Sequence, residues 1–344
     1  MLGHGIDYKE WSGAWEKKTL TSTTNSGVEF QDLVDRRIEE IFNNQVSLFN
    51  LVSHEQNIGK SAYWDARTAR NSVAGSNSES GDVTSSYSTR IQFNLPIRIN
   101  TAVVEVTDFA ETAHLSEGAN AVGMASLFEQ ELNDSMVDLL AKPYTDANTK
   151  MGINAQIFRD GTGNGSLDMH GLSYWVDDSS STRSSVTTVA GQTRSSYENL
   201  YVASGSFDST TEALTEADLR AVIESCETEG ANRSTMALVT THALRGKIFD
   251  MMSAGERYLT TEAKFGFLTV PLPTFDGIPI YADKDCPSGV SFVLDMATFR
   301  LRELKPMHFE PLAKTAMTQK GIVKYFANLI CKDVGKNGIL YNKS

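Results

Sequence analysis

The stretch from Ser116 to Leu172 constrains the fold more than any other. Met124, Phe128, Leu132, Met136 and Leu140 recur every four residues, which places them along one stripe of a helix. Glu129, Glu131, Asp134 and Asp138 fill the positions between and face away. Ser116 stands before the run as a cap, and Gly118 and Gly123 loosen its start. Pro143 interrupts the pattern and costs about 3 kcal/mol inside a straight helix, so a kink or short break is expected there. Apolar spacing resumes at Ala147, Met151, Ile153, Ile157 and Phe158. If both segments stay colinear they reach about 54 Å, the length of a strut rather than of a packed helix in a small domain.

The strut ends at Arg159-Asp160-Gly161-Thr162-Gly163-Asn164-Gly165. A phosphate-cradling loop follows a strand and carries a lysine, whereas this run follows a helix and has none. A helix stop and turn, with Gly161 past the C-cap, explains it better.

Around this element the chain reads as an α+β protein. Residues 1–27 are polar and contain Trp11 and Trp15, too many tryptophans for a short tail to bury against itself, so an arm lying on another subunit is expected. Residues 29–51 form an amphipathic helix through Leu33, Val34, Ile38, Ile41 and Phe42. Lys60–Arg70 and Arg90–Asn100 read as two strands of a long hairpin, whose tip Asn71–Thr89 is nearly devoid of apolar residues. Such a ribbon has little core of its own and needs something external to lie on. Thr101–Thr112 is a strand leading back to the strut. Asp177–Ser196 is a Ser/Thr-rich surface loop. Thr215–Glu229 is a helix opened by a capping box of Thr215 and Asp218, followed by a strand at Met236–Thr240 and a helix at Thr241–Ala254. Ile278–Ala282 and Phe292–Leu294 are strands, and Met307–Leu312, Ile322–Cys331 and Ile339–Tyr341 form an antiparallel group.

A formal net charge of −12 argues against a sequence-specific DNA binder and suits a protein that stays soluble when crowded. Cys226, Cys286 and Cys331 stand far apart and read as reduced, mostly buried thiols of a cytoplasmic protein. The first residues lack the apolar core of a signal peptide, and no run is long enough to span a membrane.

No nucleophile elbow, P-loop or zincin motif is present, so catalytic, cofactor and metal residues are all expected to be absent. The six histidines are isolated, and His170 reads as a packing residue. Solvated turns explain the acid pairs Asp177-Asp178 and Asp283/Asp285. A hydrolase built around His170 and Asp177 is the contrasting reading; it lacks a convergent base, nucleophile and oxyanion donor.

The order of parts resembles the major capsid proteins of tailed bacterial and archaeal viruses, which share the Hong Kong 97 fold. The resemblance rests on Asp160-Gly161-Thr162-Gly163 with His170-Gly171-Leu172, on Gly191-Gln192-Thr193-Arg194-Ser195 with Tyr201, and on Asp276-Gly277-Ile278-Pro279-Ile280 through Asp283, Pro287, Gly289 and Phe292-Val293-Leu294-Asp295. It implies an N-terminal arm and helix (1–54), an extended loop (55–100), a peripheral domain with the spine helix (101–165), an axial domain (166–304) and peripheral return strands (305–344). It also implies a virion protein, assembled in the host cytoplasm as pentamers and hexamers around non-specifically packaged double-stranded DNA. Separate scaffolding, portal and decoration proteins are its expected partners. Trp11, Trp15, Lys60, Tyr63, Trp64, Arg67, Arg70 and Arg90 are the expected inter-subunit contacts. An encapsulin-type nanocompartment shell is the alternative. Some members crosslink a loop lysine to a neighbour's asparagine; the tip Asn71–Thr89 has no lysine, so a non-covalent shell is expected.

Overall fold

A computed structural model describes residues 47–344 apart from 80, 82–84, 118–126, 147, 178–185, 198–199, 201–203, 254–259, 266–267 and 314–316. The expected arm, with Trp11 and Trp15, lies outside the described residues, as do most of the helix at 29–51, Met124, Gly118, Gly123 and Tyr201. The fold below is that of the unit Asn44–Ser344.

Two sheets organise it among the described residues. The first has four strands in the order β1 (Ser53–Gln56), β13 (Phe299–Pro311), β14 (Thr318–Cys331) and β4 (Arg98–Thr107). Leu301, Val323, Tyr325, Ala327 and Leu329 alternate onto its buried side. Helix α1 (Ser47–Leu51) leads into β1, which runs parallel to β13. The second sheet has seven strands in the order β7 (Ser204–Glu212), β15 (Gly338–Lys343), β12 (Ser291–Asp295), β8 (Met236–Thr240), β11 (Ile278–Ala282), β10 (Leu268–Phe275) and β9 (Thr260–Phe265). Every residue of β8 and β12 is buried, the mark of central strands covered on both faces. The α+β expectation holds, but Ile339–Tyr341 does not join β13 and β14. It lies in β15, antiparallel to β12 and parallel to β7.

The strut is shorter than its periodicity suggests. Helix α2 (Asp108–Glu117) occupies the end of the expected strand at 101–112 and contains Ser116, which is therefore not a cap. Helix α3 spans Leu127–Ala141, a length of about 22 Å. Phe128 and Leu139 are buried, Leu132 and Met136 pack against the cores, and Glu129, Glu131, Asp134 and Asp138 face away. Beyond Pro143 the chain does not continue along the axis. It loops back, and helix α4 (Ile153–Phe158) starts only after the Gly152 N–H has met the Lys142 carbonyl at 2.8 Å. A side chain at Gly152 would come within 2.5 Å of Lys142 N and 2.8 Å of the Leu140 carbonyl oxygen, so only glycine permits this approach. All six residues of α4 are buried. Gly161, with φ +81°, makes the turn that the sequence indicated.

Hairpin strands β2 (Ser61–Ala69) and β3 (Thr89–Pro96) form as expected. Their base is not bare, however. Ala62, Phe93 and Leu95 are buried in the main core, so the lower half of the ribbon lies on its own chain. Helix α5 (Leu172–Trp175) supplies Trp175 beneath it. Helix α6 (Glu216–Thr228) opens with the Thr215/Asp218 capping box, both hydrogen bonds being 3.2 Å, and α7 spans His242–Ser253.

Candidate assembly surface

Alternation along the hairpin sorts its side chains by face. Trp64 and Ala66 turn inward with Phe93, while Tyr63, Asp65 and Arg67 turn outward and are exposed. Trp64 stacks on Phe93 with ring centroids 5.4 Å apart and meets Trp175 at 6.0 Å. The structure thus gives Trp64 partners within its own chain. Lys60 is exposed at the base, where its carbonyl accepts from Ile97 N–H at 2.9 Å. Arg67 stands directly across from Arg90, and Arg70 follows at the strand end; all three are exposed. Two like charges in register weaken a ribbon unless an anion lies nearby. Tyr87, beyond Arg90, is 87% exposed.

A pin below the ribbon was invisible in the sequence. Asp177–Ser196 was expected to be surface loop, but its C-terminal part folds inward as a small hairpin of β5 (Thr188–Val189) and β6 (Gln192–Thr193), with Val189, Ala190 and Arg194 buried. The Arg194 guanidinium donates to the carbonyls of Tyr174 (2.8 Å), Trp175 (3.2 Å), Asp177 (2.8 Å), Val186 (3.0 Å) and Leu200. A planar fork with five donors suits that ring of acceptors. Asp177 is fully buried, and its carboxylate accepts the Val186 N–H at 2.9 Å.

Asp283 and Asp285 are not in a solvated turn either. Both are buried, and the Asn154 amide donates to both at 3.0 and 2.8 Å. Asp283 also accepts the Ser47 N–H at 3.2 Å, tying α1 to α4 and the β11–β12 connection. Burial, more than any neighbour, raises the Asp285 carboxyl above the usual carboxylate range. Asn154, one of two amides with Gln156 inside the apolar run Ile153–Phe158, was the available signal.

His170 does pack. Its ring lies 4.4 Å from that of Tyr174, its Nδ1 is 3.0 Å from the Asn328 amide, and burial pushes its pKa down to about 4. Cys226, Cys286 and Cys331 are free and buried, and burial pushes Cys226 and Cys331 up to about 12, which removes thiolate chemistry at neutral pH. No metal-holding cluster and no helix long and apolar enough to cross a membrane occurs among the described residues.

Residues 15–327 match the SU10 major capsid protein family. The chain belongs to that family. It is a major capsid protein of a tailed phage, a structural subunit of the icosahedral virion shell, and not an enzyme. No curated protein matches it in sequence. Among solved structures, the capsid protein is similar to a chain of the cyanophage A-1(L) capsid, with 15% identity and a TM-score of 0.67 over 94% of this chain and 99% of that one. It is also similar to a chain of a native GTA particle capsid, with 11% identity and a TM-score of 0.62 over 94% and 99%. A third likeness, to the SrpI encapsulin complex of Synechococcus elongatus, has 10% identity and a TM-score of 0.56 over 95% of each chain. At these identities the likenesses concern the fold.

Proposed function

We propose that the shell is built from hexamers and pentamers of this chain around non-specifically packaged double-stranded DNA, with the ribbon and the N-terminal arm as the limbs that join subunits. The observation that carries this reading is the ribbon itself. Beyond Ala66 it leaves the core and exposes Arg67, Arg70, Arg90 and Tyr87, a face that another copy would cover. Tyr63, Arg67, Arg70 and Arg90 form its contact face, Lys60 marks its root, and Trp64 anchors that root. Trp11 and Trp15 act from the arm. The four-stranded sheet with α3 corresponds to the peripheral domain, and the seven-stranded sheet corresponds to the axial domain, which then also includes β15. Scaffolding, portal and decoration proteins act as separate partners.

Electron microscopy of the purified protein tests this. Uniform closed particles built on hexamers and pentamers support it, whereas a monomer under all conditions refutes it. Nuclease-protected DNA within particles made during infection tests the packaging.

A further inference from the structure

We propose that the floor of the groove between α3 and β4 binds a small tetrahedral oxyanion of the phosphate or sulfate class. The site is formed within one chain and goes beyond the assembly reading above. Arg98 and Asn100 stand two residues apart on β4 and so share a face. Both line a groove of about 590 Å³, together with Asp138, Lys142, Lys150 and Asp168. Asn100 is only 7% exposed. Its Oδ1 accepts the Gln156 amide at 2.9 Å. Gln156 is fixed in turn, accepting the Met169 N–H at 2.9 Å and donating to the Met151 carbonyl at 3.0 Å. These bonds set the orientation of the Asn100 amide and leave its Nδ2 as a buried donor without an acceptor. Arg98 Nε is a second buried donor without an acceptor. Two such donors on one strand face call for an acceptor from outside the chain.

The loop after α3 supplies the rim. The bond from Gly152 to Lys142 closes that loop and brings Lys142 and Lys150 to the same groove. Both are exposed, and neither is in an ion pair among the described residues. Three cationic groups thus face two carboxylates, and the unpaired atoms of β4 are donors, so a metal cation is the wrong guest. An oxyanion suits the guanidinium fork, the Asn100 amide and the two ammonium groups. Asn100 lies too deep for the backbone of a DNA duplex, so the guest is a free ion.

Asp168 couples the site to protons. It is 3% exposed and its Oδ2 has no partner. Burial raises its carboxyl above the usual carboxylate range, while Arg98 opposes the rise and Asp160 adds to it. An ion that occupies Arg98 removes that opposition, so Asp168 takes up a proton as the ion enters. The other charged or titratable groups around the floor are Asp138, Lys142, Lys150, Asp160 and His170. His170, held near a pKa of about 4, stays neutral in the range where Asp168 responds. Affinity therefore rises as pH falls from about 7.5 to about 5.5.

Calorimetric titration of unassembled subunits with sodium sulfate, a dianion throughout this range, at constant ionic strength is the experiment. One saturable site per chain is expected, tightening roughly threefold or more over that fall in pH. Lys142→Ala with Lys150→Ala weakens it roughly tenfold or more, and so does Asn100→Asp. Asp168→Asn tightens it at the higher pH and abolishes the pH dependence. Thermal melts establish that each variant folds, and the exposed lysine pair keeps the test open if Asn100→Asp does not. Absence of saturable binding overturns the proposal, as does binding that survives the loss of both lysines. A DNA duplex that displaces the sulfate assigns the groove to the genome and overturns the free-ion site as well. All of these outcomes are read without shells, so the capsid reading stands or falls separately.

Discussion

Gly152 donates its backbone N–H to the carbonyl of Lys142 at 2.8 Å, and this one bond turns the chain back at the end of α3. Because Lys142 N and the Leu140 carbonyl crowd the position where a Cβ would sit, Gly152→Ala must push the returning strand of backbone away. We expect a loss of about 2–3 kcal/mol, read as a lower urea midpoint of the unassembled subunit.

Arg194 closes the loop beneath the ribbon by holding five carbonyls. A lysine there keeps the charge but offers three donors on a flexible stem. We expect Arg194→Lys to cost roughly 3 kcal/mol and Arg194→Met more, because buried carbonyls are left without donors. Hydrogen exchange at the amides of 174–177 and 186–194 checks it: protection falls there first.

These two sites also show where the sequence was legible. The hairpin followed from the alternation of Phe93 and Leu95, and α6 followed from Thr215 and Asp218, because strands and capping boxes are local events. The broken strut misled for a physical reason. Ile153 and Ile157 keep a helical spacing because they enter the same core as Leu139, but from beyond a loop that brings Gly152 back to Lys142. Spacing reports burial and not direction. Pro143 and Gly152 were the local signs of the break and the return. Asp283 and Asp285 look like surface residues in the sequence, since their partners lie up to 236 positions away, and Arg194 and Asp177 do so because they bond backbone groups of an irregular loop. The placement of β15 beside β7 and β12 is likewise a non-local pairing with no short-range trace.

His170 gives the subunit an acid sensitivity. Burial, with the Arg98 charge adding to it, holds the ring neutral down to about pH 4, whereas an exposed histidine protonates near 6.5. In that window the unfolded chain binds the extra proton. The contribution is complete above about pH 6.5 and drains away as pH falls toward 4, by up to about 3 kcal/mol. His170→Gln should therefore narrow the difference between urea midpoints measured at pH 7 and pH 4.5. An unchanged difference contradicts this.

Removing the hydroxyl of Thr215 strips α6 of half its capping box. Thr215→Ala should cost about 1 kcal/mol, with Thr215→Ser close to neutral, in equilibrium denaturation.

The ribbon tip has no lysine, and Lys60 sits at the root. Shells boiled in denaturant should run as a single band near 37.7 kDa, and a ladder of higher bands would contradict a non-covalent lattice.

Both sheets are finished by strands made late. β1 and β4 wait for β13 and β14, and β7 waits for β15, more than 120 positions downstream. A polypeptide released early from the ribosome leaves each sheet with a missing member and no settled surface to offer a neighbour. Topology itself thus asks for the whole chain: a truncated product lacks the strands that complete both sheets.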